Sequence, residues 1–191
     1  MTSAGLTSAL WAFGRGTGVV ALVLFTVSVV LGILARSGRS LPGIGQFGAS
    51  DLHRTAALTG TALIAAHVGS LLFDPFAQLR VVDLALPFLA AYRPLWLGLG
   101  TVAIDLLAVI TVVSLLRHRV GPRVFRIVHW ATYVLWPVAL VHALGSGTDA
   151  ATTWFRGIAV VCCAAVLGAV AWRLAPSYAE RGWSRHPRRT A

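Results

Sequence analysis

Residues 51–73 read DLHRTAALTGTALIAAHVGSLLF, and residues 126–144 read RIVHWATYVLWPVALVHAL. Crossing a hydrocarbon core of about 30 Å takes roughly 20 predominantly apolar residues of helix, and both stretches meet that requirement. Each also carries two histidines, His53 and His67 in the first, His129 and His142 in the second. A lone histidine in a span can serve as a hydrogen bond between helices. Two matched pairs argue instead for a site, because ionisable side chains inside a membrane are costly.

Working outward, three more stretches read as spans, at about Gly16–Ala35, Pro94–Leu116 and Trp154–Leu174, while the quoted pair covers about Asp51–Phe73 and Ile127–Leu144. The expected fold is all-α integral membrane, a bundle of about five transmembrane helices. Its divisions are an amino-terminal tail (1–15), a helical domain (16–174, core about 50–145) and a basic tail (175–191). The first apolar run ends directly in Arg36 and lacks the small residues of a cleavage site, so it reads as a retained helix. Between helices two and three, residues 79–89 are too short to span and too apolar for open water. They read as an interfacial or re-entrant segment, either a lid on an outer-face site or a surface element with no further role.

Composition agrees. The chain is 57% hydrophobic and 12% charged, where soluble domains run near a quarter charged. All sixteen basic residues are arginine, against six acids, for a net charge of +10. In a soluble protein that excess would suggest nucleic acid; here the apolar mass excludes it. Twelve of the sixteen arginines fall in the first–second loop region, the third–fourth loop and the carboxyl-terminal end. The positive-inside rule then puts the amino terminus outside and the carboxyl terminus in the cytoplasm of a plasma-membrane protein. The only cysteines, Cys162 and Cys163, exclude a disulfide framework. Their place in an apolar helix suits packing better than redox chemistry.

Spacing tells what the histidines can hold. His53 and His67 are fourteen residues apart, about 21 Å along a helix and within about 40° of the same direction. Helices two and four run the same way, so His53 and His129 share the cytoplasmic depth, and His67 and His142 the outer one. Residues about 20 Å apart on a helix cannot share one ion, and each depth offers two imidazoles without an obvious third ligand. Two axial ligands complete a haem iron, so two stacked haems follow. On an ideal helix the thirteen steps from His129 to His142 leave about 140° of misalignment; a kink or local unwinding at Pro137 is the expected correction, with helix tilt as the alternative. Gly60, midway between His53 and His67, would leave room for porphyrin faces, or serve ordinary helix packing. Trp136 holds the corresponding position on helix four. Arg54 and Arg126 are candidates for the haem propionates on the cytoplasmic side, or simple membrane anchors, with Arg93, Arg80 and Arg156 available outside. Asp105 could orient a ligand, carry a proton or pair with a neighbouring helix.

These residues resemble the ferric reductase-like transmembrane domain family, which includes the haem domains of ferric reductases and NADPH oxidases and the haem subunit of bacterial methionine sulfoxide reductase. The resemblance rests on the paired histidine spacings, on the run from Arg126 to Tyr133, and on Tyr92-Arg93-Pro94-Leu95-Trp96 entering helix three. It implies two b-type haems, the inner on His53 and His129 and the outer on His67 and His142, with electrons passing outward. The 17 residues from Ala175 to Ala191 cannot house a dinucleotide-binding unit. No flavin or nicotinamide site is therefore expected on this chain, and the donor would be a separate cytoplasmic flavoprotein reductase or membrane quinol. The acceptor would be ferric iron or an exported oxidoreductase. Two other readings stand beside this one: an electron-relay subunit for such an oxidoreductase, for example a methionine sulfoxide reductase, and a haem-free transporter using Asp105.

Overall fold

The computed structural model describes residues 3–37, 46–75 and 77–178. Arg39 and the tail arginines 181, 185, 188 and 189 lie outside the described residues. Among the described residues six α-helices follow one another: α1 (Ser3–Ser37), α2 (Gln46–Leu72), α3 (Pro94–Leu115), α4 (Arg117–Trp130), α5 (Thr132–Ser146) and α6 (Thr153–Leu174). A 3₁₀ turn, Val81–Leu84, lies between α2 and α3. No strand occurs among the described residues. With α4 and α5 read as one run, five helical segments are long and apolar enough to cross a membrane, as the hydrophobic stretches predict. The chain is a multi-pass membrane protein.

Two boundaries differ from expectation. Helix α1 reaches back to Ser3, through the stretch read as an amino-terminal tail. The helix carrying His129 begins well before Ile127: Gly121 adopts φ 79°, a backbone open to glycine, and Pro122 then starts the regular helix.

Helices α1 and α2 pack side by side along their length, α3 packs on α5, and α6 packs on α1. One core joins Leu22 of α1 and Trp136 and Leu140 of α5 to Ala159, Cys162 and Val166 of α6. A second joins Ala103, Leu107 and Ile110 of α3 to Leu135 of α5. Cys162 thus fills a core, as its apolar setting suggests. Between the α1–α2 pair and the α3–α5 pair lies a cavity of about 1780 Å³. That exceeds the roughly 300–1,000 Å³ of an ordinary small-molecule pocket.

The 79–89 segment makes one 3₁₀ turn, Val81–Leu84, packed on the amino-terminal part of α3. Asp83, 2% exposed, accepts hydrogen bonds from the Arg80 backbone N–H (3.0 Å), Nε (3.1 Å) and Nη2 (2.8 Å). Thr101 of α3 donates to the Asp83 carbonyl at 2.6 Å. Leu79 and Leu84 are among the residues that line the cavity.

Candidate functional site

All four intramembrane histidines line this one cavity, with His53 and His67 on α2 facing His129 of α4 and His142 of α5. The His53 and His129 ring centroids stand 6.0 Å apart with their planes at 77°. His118 also lines it, at the same end as His129.

Three of the rings are tied to helix backbone. His53 Nδ1 lies 2.7 Å from the Ser28 carbonyl oxygen, with the Ser28 hydroxyl at 3.0 Å. His67 Nδ1 lies 2.6 Å from the Gly14 carbonyl, and His142 Nδ1 lies 2.7 Å from the Trp96 carbonyl. A carbonyl only accepts, so in each ring Nδ1 carries the proton and Nε2 is left with a lone pair. An imidazole whose far nitrogen donates to a carbonyl is the usual arrangement of a metal-binding histidine. Ser146 Oγ is 3.5 Å from His142 Nε2, at the margin of a hydrogen bond. His129 differs: its Nδ1 is buried without a hydrogen-bond partner, and its ring stacks on Phe125 at 5.1 Å.

The register explains the match. His53 and His67 are fourteen residues apart on α2, and their acceptors Ser28 and Gly14 are fourteen apart on the antiparallel α1. Two helices of equal rise therefore meet twice at the same offset. The Trp96 carbonyl comes from the Tyr92–Trp96 stretch that enters α3. Arg93 fixes that entrance by donating to the Gly145 carbonyl of α5 at 2.9 Å.

Between His129 and His142 the helix is interrupted at Ala131, which recovers only part of the rotation, and Pro137 lies further on inside α5. Helix α4 ends at Trp130 and α5 begins at Thr132. Around Ala131 the bonds tighten to i→i−3, Ala131 N–H to Val128 O (3.0 Å) and Val134 N–H to Ala131 O (3.0 Å). Such turns rotate about 120° per residue against 100° in an α-helix.

Arg54 and Arg126 both line the cavity, at the His53/His129 end, together with Arg36, Arg117 and Arg173. Arg173 reaches the Tyr133 hydroxyl and lies over the Trp130 ring at 4.9 Å. Those three additional arginines were not singled out from sequence, because loop position does not say which side chains turn inward. At the opposite end none of Arg80, Arg93 and Arg156 lines the cavity; Arg15 does, in an ion pair with Asp149. Arg15 sits within the long α1, where a basic residue ahead of an apolar run signals only a helix start.

Gly60 does not face the cavity. A side chain there would meet the Phe25 ring of α1 at 3.1 Å, so the packing role applies. Trp136 lines the cavity at mid-depth, with its indole N–H donating to Thr26 Oγ1 at 3.0 Å. Asp105 is exposed on the outside of α3 and does not line the cavity.

The donor set fits haem. His53 and His129 oppose each other with a 6.0 Å centroid separation, room for two metal–nitrogen bonds of about 2 Å between ring edges, and His67 and His142 line the same cavity. No cluster of three or more histidine, cysteine or acidic side chains suited to a bare metal ion occurs among the described residues.

No curated protein and no solved structure matches the chain. A family model described as the ferric reductase like transmembrane component matches residues 17–140. The match takes in His53, His67 and His129 and ends two residues before His142. Covering well over half of the 191 residues, it makes this five-span, four-histidine bundle a member of the ferric reductase-like transmembrane component family, a membrane electron-transfer component.

Proposed function

We propose that this chain is a di-haem b-type cytochrome that carries electrons outward across the plasma membrane, with its amino terminus outside and its carboxyl terminus in the cytoplasm. The observation that carries the proposal is one continuous cavity lined by four imidazoles, three of which have Nδ1 committed to a backbone carbonyl. His53 and His129 would hold one haem, and His67 and His142 the other. Bound haem supplies a one-electron carrier at each depth.

The chain's own residues do the rest. The two pairs, His53 with His129 and His67 with His142, would hold the haem irons, and the hydrogen bonds at Nδ1 fix three of these rings in place. Arg54 and Arg126 supply cations for propionates at one end, and Arg15, already partnered by Asp149, lies at the other. Leu79 and Leu84 add apolar side chains to the cavity lining. Low polarity around each site favours the less charged state and tunes its potential. A cytoplasmic flavoprotein reductase or membrane quinol would deliver electrons at the arginine-rich end, and ferric iron or an exported oxidoreductase would accept them at the other.

A relay role for an exported oxidoreductase, such as a methionine sulfoxide reductase, has one observation in its favour. The 79–89 segment presents Val81, Leu86, Phe88 and Leu89 exposed at the acceptor end. Reduction of ferric chelates by the isolated protein, once reduced, would favour the ferric reductase-like role; reduction only of a co-purifying oxidoreductase would favour the relay. The haem proposal itself is tested by a reduced-minus-oxidised spectrum with haem quantitation. Two b-type haems per chain are expected, and a haem-free protein that is otherwise folded would overturn it.

A further inference from the structure

Three of the four histidines meet the bundle through the same local device. His67 reaches the carbonyl of Gly14, His53 that of Ser28, and His142 that of Trp96. In every case the residue four positions later is glycine: Gly18, Gly32 and Gly100. A helix carbonyl points along the axis toward residue i+4, and the side chain of that residue leans back toward the helix amino terminus, over the same oxygen. Any side chain at i+4 therefore stands where an incoming imidazole must lie. A Cβ on Gly18 would be 3.1 Å from the His67 ring, on Gly32 3.2 Å from the His53 ring, and on Gly100 2.6 Å from the His142 ring. In all three the nearest ring atoms are Cε1 and Nδ1, the edge that makes the hydrogen bond. Other covered glycines meet different side chains, Gly60 the Phe25 ring and Gly98 the Phe88 ring, while Gly16 on α1 and Gly157 on α6 have nothing within 4 Å of such a Cβ.

We infer that Gly18, Gly32 and Gly100 are positioning residues, each opening a window in its helix that lets a histidine donate Nδ1–H to the carbonyl one turn earlier. The window sets both the tautomer and the rotation of the ring, and so the orientation of its Nε2. His129 has no such window; Phe125 stacks on it instead. The outer pair is thus held by two windows and the inner pair by one. This inference rests on the haem reading above and adds what directs the ligands.

Donation from Nδ1 makes an imidazole more electron-rich and a better ligand to ferric iron, and partners of this kind typically carry 10–100-fold in metal affinity. The test uses the full-length protein with Gly18→Ala, Gly32→Ala and Gly100→Ala, and Gly16→Ala as the control in open space. Haem per chain, low-spin EPR signals and the midpoint potential of each haem are measured. A tenfold preferential loss of ferric ligation raises a one-electron potential by 59 mV. A rise of that order is expected for the outer haem in Gly100→Ala, a smaller one for the outer haem in Gly18→Ala, and for the inner haem alone in Gly32→Ala. Gly16→Ala should match the unaltered protein. If Gly100→Ala fails to accumulate, the two softer contacts decide. Unaltered potentials and EPR signals in the glycine variants would overturn the windows while leaving the haem proposal standing, whereas an unaltered protein without haem would overturn that proposal first.

Discussion

Replacing His142 with Leu removes one imidazole from the outer pair and leaves the inner pair untouched. The protein should then retain one haem held by His53 and His129, with the second absent or reduced to a five-coordinate high-spin form on His67. Loss of the His142–Trp96 hydrogen bond costs about 1 kcal/mol, too little for general unfolding to account for a missing haem. The effect on the surviving haem follows from the distance between depths. His53 and His67 are fourteen residues apart on α2, which is about 21 Å. Two unit charges at that distance interact by about 0.8 kcal/mol with an effective dielectric constant near 20. Taking 1.36 kcal/mol and 59 mV for each tenfold, that is about 35 mV for one electron. The ferric iron–porphyrin core carries one positive charge and, with its propionates neutralised by arginine, favours reduction of its neighbour, so its removal should lower the inner potential by no more than about 35 mV. Haem quantitation per chain and a spectroscopic redox titration measure both outcomes. Two low-spin haems in the variant would refute the assignment of His142 as a ligand. Loss of both haems, or a shift several times larger, would refute the independence of the two depths.

Further expectations follow from residues around the cavity. Gly60→Ala should lower the melting temperature with haem content unchanged, because overpacking against Phe25, about 1–3 kcal/mol, exceeds the helix gain of about 0.5–1 kcal/mol; loss of haem would return Gly60 to the site. Asp105→Leu should improve membrane insertion by about 3–4 kcal/mol at mid-span and leave both haems, as scored by an insertion assay and a spectrum; a haem defect would mean that Asp105 serves the cavity after all. Thr101→Val leaves the buried Asp83 carbonyl short of a donor, a loss of about 1–3 kcal/mol, and should speed hydrogen exchange across residues 79–89. Hydrogen bonds from the Arg80 guanidinium hold the Asp83 carboxyl below the usual carboxylate range. Its stabilisation is therefore complete above the unfolded value of about 3.9 and fades as pH falls through the lowered folded value. Limited proteolysis of the segment should rise only in that acid window, and Arg80→Gln should remove the acid dependence.

Helix rise and rotation are local properties, and what depends on them alone was legible in the residues. The five spans, the 14-residue spacing of His53 and His67, and the placing of Arg54 and Arg126 near their histidines all follow from hydropathy and a 3.6-residue period. The same arithmetic could not locate the irregularity between His129 and His142. Pro137 carries the obvious sequence signal, yet the turn tightens at Ala131, where nothing in the residue type announces it.

Tertiary structure decided the rest, because it depends on the register between helices distant in the chain. Which carbonyl an imidazole reaches is set by how α1 lies along α2 and α3 along α5, and no periodicity within one helix contains that. Nothing within one helix singles out Gly18, Gly32 and Gly100, while Gly60, conspicuous midway between two histidines, packs against Phe25. Arg15 turns inward while Arg80, Arg93 and Arg156 do not, and Asp105 faces away from the cavity. From the sequence alone came four histidines at two depths. Their backbone partners and the glycines beside them emerge only when the helices are packed, since hydrogen bonds between helices require atoms that the chain brings together from 25 to 53 residues apart.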